Sequence, residues 1–250
     1  MIVKIAVVGK GGVGKTSVSA VLARSMGRLG KSVVALDCDT NPNLALSLGV
    51  SEEESERLLT MRQQVSEGEV EHALGWDDLL DRFGTDAPDG VRLGVVNRIE
   101  NPEPSCPCCG LSPERLLSQA NFGKAIVIGD FEAGLGSFAR VGDEKLDATI
   151  VVIEPTPRSI DVGLRALAHA RSHHQGQIVV VANKVQNLTD FEAIASAVGE
   201  THLVSVPFSD AVVSADRKGI SIFDETDSAD FIRPLRDLAA SLTHEVEPLS

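Results

Sequence analysis

Eight consecutive residues near the start of the chain, Gly9-Lys10-Gly11-Gly12-Val13-Gly14-Lys15-Thr16, have the types and spacing needed to hold a row of phosphates. They follow a short apolar run, Ile2–Val8, and precede a segment with helical periodicity. That strand–loop–helix setting is what a phosphate-binding loop requires. Glycines let backbone N–H groups close on phosphate oxygens where a side chain would collide. The helix that opens at the end of the loop turns its positive dipole end toward the same anion. Lys15 can reach the β- and γ-phosphates, and the Thr16 hydroxyl can ligate Mg²⁺. With Ser17 continuing the stretch, Gly9 to Ser17 are the candidate nucleotide-binding residues, and Lys15 is also a catalytic candidate. Lys10 sits too early in the loop to cradle the phosphates of its own chain.

Carboxylates follow at two strand ends. The apolar run Ser32–Leu36 leads into Asp37-Cys38-Asp39, and the carboxyl ends of strands are where open α/β sheets bind ligands. Asp39 is the candidate for holding the attacking water or an Mg²⁺-bound water. Helix capping is the other use open to Asp37 and Asp39, and Cys38 reads as a small buried filler. Lys124–Gly129 ends in Asp130-Phe131-Glu132-Ala133-Gly134. Asp130 suits Mg²⁺ binding through water, and Gly134 suits a loop that moves when the γ-phosphate leaves. Further on, Gln177–Ala182 runs into Asn183-Lys184-Val185-Gln186. Asn183 can hydrogen-bond a purine edge. Guanine-specific proteins carry an aspartate where Gln186 stands, so ATP is favoured over GTP.

Of four cysteines, three fall at 106, 108 and 109, in Cys106-Pro107-Cys108-Cys109. Two thiols separated by one residue can bind one ion, and the intervening proline stiffens the turn. Soft divalent metals in structural sites prefer four ligands. Two subunits each donating Cys106 and Cys108 across a two-fold axis supply them, because a two-fold interface brings one motif against its own copy. Cys109 is an extra thiol, and three reduced structural cysteines are the alternative. His169 and His173 are one helical turn apart and can chelate, although cations near a helix C-terminus, His174 included, are also favourable on their own.

A net charge of −13 repels nucleic acid and anionic lipid. No apolar run is long enough to span a bilayer, and Ile2–Val8 is too short for a signal peptide, so the chain is expected to be cytoplasmic. The 250 residues are read as a single domain. Strands alternate with helical segments along almost its whole length, which predicts an α/β fold with a doubly wound, mostly parallel sheet. Residues 51–90 read as an acidic, helix-rich insertion, opened by the Ser51/Glu54 capping box and closed by a loop over Thr85–Gly90. Its acidic run is a solvated face or a docking surface. Asp230–Val246 reads as a closing amphipathic helix, with Pro234 in its first turn or at a kink.

The sequence KGGVGKT resembles the deviant P-loop of the ATPase family that includes the nitrogenase iron protein and the septum-site and chromosome-partition ATPases. That resemblance implies a homodimer in which Lys10 crosses to the partner's nucleotide, Asp39 belongs to the first switch, and Asp130–Gly134 form the second. It also implies that the segment after Pro207, including Phe208, packs on adenine beside Asn183 and Lys184. With Cys106-x-Cys108 ahead of the second switch, the chain is most similar to the CooC-type accessory ATPases that insert nickel into carbon monoxide dehydrogenase. The implied activity is ATP hydrolysis with Mg²⁺, coupled to holding Ni²⁺ or Zn²⁺ at the dimer interface for a client metalloenzyme. An iron–sulfur reductase is the second reading, but residues 130–140 lack the cysteine it needs. A spatial organiser of DNA or division machinery is the third. It calls for a basic surface or lipid-binding tail, and neither is visible.

Overall fold

The computed structural model describes residues 3–39, 42–58, 80–81, 84–96, 122–131, 136–139, 141, 146–173 and 176–244. Eight strands form one sheet: β1 Val3–Gly9, β2 Val33–Cys38, β3 Gly84–Ala87, β4 Val91–Val95, β5 Ile126–Phe131, β6 Ala148–Ile153, β7 Gln177–Val185 and β8 His202–Pro207. Their order is β3-β4-β2-β5-β1-β6-β7-β8. All neighbours are parallel except β3 and β4. The expected doubly wound, mostly parallel α/β sheet is present.

The central strands are apolar on both faces because helices cover both. In β1, Ile5 and Val7 join one core while Ala6 and Val8 join the other, and all four are fully buried. Helix α1, Lys15–Arg28, helix α2, Leu44–Leu48, and the closing helix Ala229–His244 cover the first face. The helices Pro157–His173 and Leu188–Val198 cover the second. Each fully buried Val, Leu or Ile contributes on the order of 2 kcal/mol to this packing. None of the described helices is long and apolar enough to cross a membrane.

Two expectations are corrected. Thr85–Gly90 was expected as a loop; instead Gly84–Ala87 pairs antiparallel with β4, and Pro88–Gly90 forms a single turn between them. The turn works because Asp89 adopts φ 61° and Gly90 φ 74°. Arg92 Nη1 donates to Asp86 Oδ1 across the hairpin, an ion pair at 2.9 Å. Pro234 lies inside the closing helix beyond its first turn. Residues 59–79 of the insertion fall outside the described residues.

Candidate nucleotide site

Parallel register sets the site. β1 ends at Gly9, beside Val152 of β6, and β2 and β5 bring Asp37 level with Asp130. The loop leaving β1 has no room for a side chain at its two ends, Gly9 and Gly14, while Gly12 between them faces open space. Gly14 has φ 93°, and a Cβ there would stand 2.5 Å from Asn183 Nδ2. Lys15, only 7% exposed, curls back so that its Nζ donates to the Lys10 carbonyl at 3.4 Å. Thr16 and Ser17 follow in the first turn of α1.

The far side of the loop is held by β7. A register shift between Ala182 and Val185 turns Asn183 and Lys184 toward it, and Lys184 takes φ 62° to do so. The buried Asn183 donates its amide to Val13 O at 2.7 Å. Its Oδ1 has no hydrogen-bond partner among the described residues. Lys184 Nζ donates to Gly12 O at 2.5 Å and to Glu154 Oε2 at 3.0 Å. Glu154 Oε1 also lies 3.6 Å from Lys10 Nζ. One carboxylate at the end of β6 therefore holds both lysines on the loop's flank. Glu154 was not singled out as a site residue from sequence. The available signal was a glutamate directly after the apolar run Ile150–Ile153 that ends β6.

The aspartates divide the remaining work. Asp37, 1% exposed, accepts from Leu44 N at 2.8 Å and from Asp39 N at 3.2 Å. It thus fixes the start of α2, the capping use that the sequence left open, while Asp39 is on the partly exposed rim. Burial, and then the charge of Asp130, push Asp37 up to about 7. Burial likewise pushes Asp130 up to about 6, against the opposing influence of Thr16, Lys15 and Ser19. Ser19 Oγ donates to Asp130 Oδ1 at 3.1 Å, and Thr16 also hydrogen-bonds it. A hydroxyl against a buried carboxylate that ionises reluctantly alone is an oxygen donor set suited to a hard cation, so Thr16 and Asp130 fit Mg²⁺.

Phe208 begins the segment after β8. Its N–H donates to Val185 O at 3.0 Å, and its ring is 43% exposed, whereas Pro207 is partly buried. Cys106, Cys108 and Cys109, with Glu132–Gly134 and His174, lie outside the described residues. Cys38 is the buried filler expected, with Sγ 3.6 Å from Leu36 O. His169 and His173 stack with ring centroids 4.2 Å apart. No group of three or more His, Cys, Asp or Glu positioned for a metal occurs among the described residues.

Residues 4–222 match the CobQ/CobB/MinD/ParA nucleotide binding domain family. The carbon monoxide dehydrogenase accessory protein CooC of Rhodospirillum rubrum is 32% identical over 240 residues, covering 88% of this chain and 89% of that protein. An uncharacterized ATP-binding protein of Methanocaldococcus jannaschii is also 32% identical, over 86% of this chain and 89% of its own length. Among solved structures, the septum site-determining protein MinD of Pyrococcus horikoshii, complexed with Mg-ADP, superposes with a TM-score of 0.71 at 19% identity. It covers all of this chain, as does MinD of Aquifex aeolicus with a TM-score of 0.68 at 20% identity; the matches span 97% and 99% of those chains. The chain is a P-loop ATPase belonging to the CobQ/CobB/MinD/ParA nucleotide-binding family.

Proposed function

We propose that this ATPase is a dimeric metallochaperone that holds a soft divalent ion, nickel in the first instance, for delivery to a metalloenzyme such as carbon monoxide dehydrogenase. The observation that carries the reading is the 32% identity to the CooC accessory protein over 88% of the chain. Cys106 and Cys108 supply the thiolates, two from each subunit, and the ion is cargo.

The chain's own residues define the ATPase half. When ATP enters, Lys15 exchanges the Lys10 carbonyl for β- and γ-phosphate oxygens. Asn183 commits one amide hydrogen to Val13 O and keeps its unpartnered Oδ1 as an acceptor for a base. An acceptor there matches the exocyclic amine of adenine and opposes the carbonyl of guanine. Thr16 and Asp130 hold Mg²⁺, which neutralises phosphate charge when bound. Asp39 orients the attacking water. Lys10 leaves Glu154 and reaches across the two-fold axis to the partner's γ-phosphate. Loss of that phosphate relaxes the segments after Asp37 and Asp130, and with them the interface that grips the ion. Phe208 and Pro207 flank the adenine. The acidic surface gives no attraction to nucleic acid or anionic membrane.

The test is a Ni²⁺ and Zn²⁺ titration of the full chain, with and without ATP, beside a Cys106→Ser/Cys108→Ser variant. One ion per dimer, lost in the variant while ATP binding persists, supports the proposal. Retention of the ion in the variant overturns it.

A further inference from the structure

We propose that Ser221, far from the phosphates in sequence and fully buried, is a positioning residue for the first switch, fixing α2 to the P-loop helix through one shared hydroxyl.

Helix α2 directly follows Asn43, and its start is bonded to Asp37, two residues before Asp39. With five residues, Leu44–Leu48, it is too short to hold its place by helix formation alone. Its start is held by Asp37, which accepts the Leu44 N–H. Its end is closed by Gly49 at φ 88°, with Gly49 N donating to Leu46 O at 2.9 Å and Val50 N to Ala45 O at 3.0 Å. That turn uses the carbonyls of Ala45 and Leu46 and leaves the Ser47 carbonyl to be satisfied elsewhere. Ser221 Oγ–H donates to it at 2.7 Å.

The same hydroxyl accepts from Arg24 Nη1 at 3.1 Å, and from Phe223 N at 3.4 Å in the turn that follows it. Arg24 is on α1, nine residues past Lys15 and hence about 13 Å along the helix. It is 5% exposed and is itself fixed, with Nε 2.6 Å from Asp89 Oδ2 and its guanidinium 4.3 Å from the Phe223 ring centroid. A donor to a carbonyl that also accepts from a guanidinium must be a hydroxyl, and alanine can play neither part. Packing does not make the anchor redundant. A cavity of about 70 Å³ lies against Asn43, Leu46 and Ser47, between α2 and the helix Asp210–Lys218. On that side, α2 is held by the hydroxyl at its end and not by close-packed neighbours.

The inference rests on reading Asp39 and Asn43 as first-switch residues, with Asp39 orienting water. Because that role is exercised on the γ-phosphate, loss of the anchor affects turnover and spares binding of ADP. The experiment compares the full-length wild type with Ser221→Ala for steady-state ATP hydrolysis, ADP affinity by calorimetry, and amide hydrogen exchange over Leu44–Gly49. The expected result is a fall in kcat of about tenfold, ADP affinity within about twofold of wild type, and faster exchange confined to α2 and the Ile222–Asp224 turn that Ser221 caps. Unchanged kcat overturns the proposal. So does a parallel loss of kcat and ADP affinity with exchange raised across the sheet, which is what ordinary core damage produces. Ser221→Cys keeps the volume with a weaker donor and is judged on the same three readouts, including where Ser221→Ala does not fold; its kcat should lie between wild type and the alanine variant. Asp39→Ala measured alongside separates the two readings. Retained turnover in that variant removes the assigned role of Asp39, whereas the Ser221 outcome is decided by its own exchange and ADP data.

Discussion

Glu154→Gln tests whether the second lysine is held in reserve until a dimer forms. Glu154 Oε1 stands 3.6 Å from Lys10 Nζ, with the two side chains 15% and 35% exposed. A half-exposed pair at this separation is worth about 1 kcal/mol after solvent screening, well below what an interior dielectric would suggest. Glutamine keeps an oxygen for Lys184 and removes the charge that retains Lys10. In the proposed dimer each subunit would contribute one Lys10, so the expected gain is about 2 kcal/mol per dimer, or roughly thirty-fold in its dissociation constant. Sedimentation equilibrium in a non-hydrolysable ATP analogue measures this directly. The difference between variant and wild type should shrink at 0.5 M salt, because the contact is partly exposed. With ADP, which lacks the γ-phosphate, both proteins should remain alike. Equal dissociation constants for Glu154→Gln and wild type in the ATP analogue, or weaker association of the variant, would refute the reasoning.

Gly14→Ala should lower nucleotide affinity at least tenfold and destabilise the protein by about 2 kcal/mol, since the new Cβ is both at positive φ and against the Asn183 amide; calorimetry and thermal melts read the two effects. Asp37 and Asp130, raised to about 7 and about 6 from an ordinary 3.8, hold protons in the folded state that the unfolded chain releases above about pH 4. Their contribution to the stability of the unliganded protein is therefore full below pH 4 and is lost as the pH rises through 6 to 7, at up to about 1.4 kcal/mol per unit and per group. Asp37→Asn should flatten that slope in urea titrations between pH 5 and 7.5; an unchanged slope would show that Asp37 does not carry it.

The phosphate loop was legible because its chemistry leaves few alternatives: glycines, lysine and threonine at fixed offsets after an apolar strand have one common physical use. The sheet was legible for a similar reason, since strands buried on both faces read as unbroken apolar runs, as in Ile5–Val8 and Ile150–Ile153. What stayed hidden was pairing at a distance. Asp37 and Asp39 are equivalent in sequence, and only the register beside Asp130 and the approach of Leu44 show which is buried and which stands on the rim. Glu154 gains its meaning from Lys10 and Lys184, 144 and 30 residues away. Thr85–Ala87 lacks the apolar alternation of a strand and, among the described residues, pairs with β4 alone, and the turn at Asp89 depends on a conformation that aspartate visits less often than glycine.

The reversed strand β3 has a consequence for how copies of this chain meet. A sheet margin with unpaired amides can recruit another chain, and long, flat, apolar margins do so most readily. Here the margin is four residues long, carries the exposed Asp86, and runs counter to its neighbour. It is a poor template for fusing one sheet to the next, even when the protein is crowded. In the proposed dimer, pairing is thereby steered away from this flank and left to surfaces that a bound nucleotide can control.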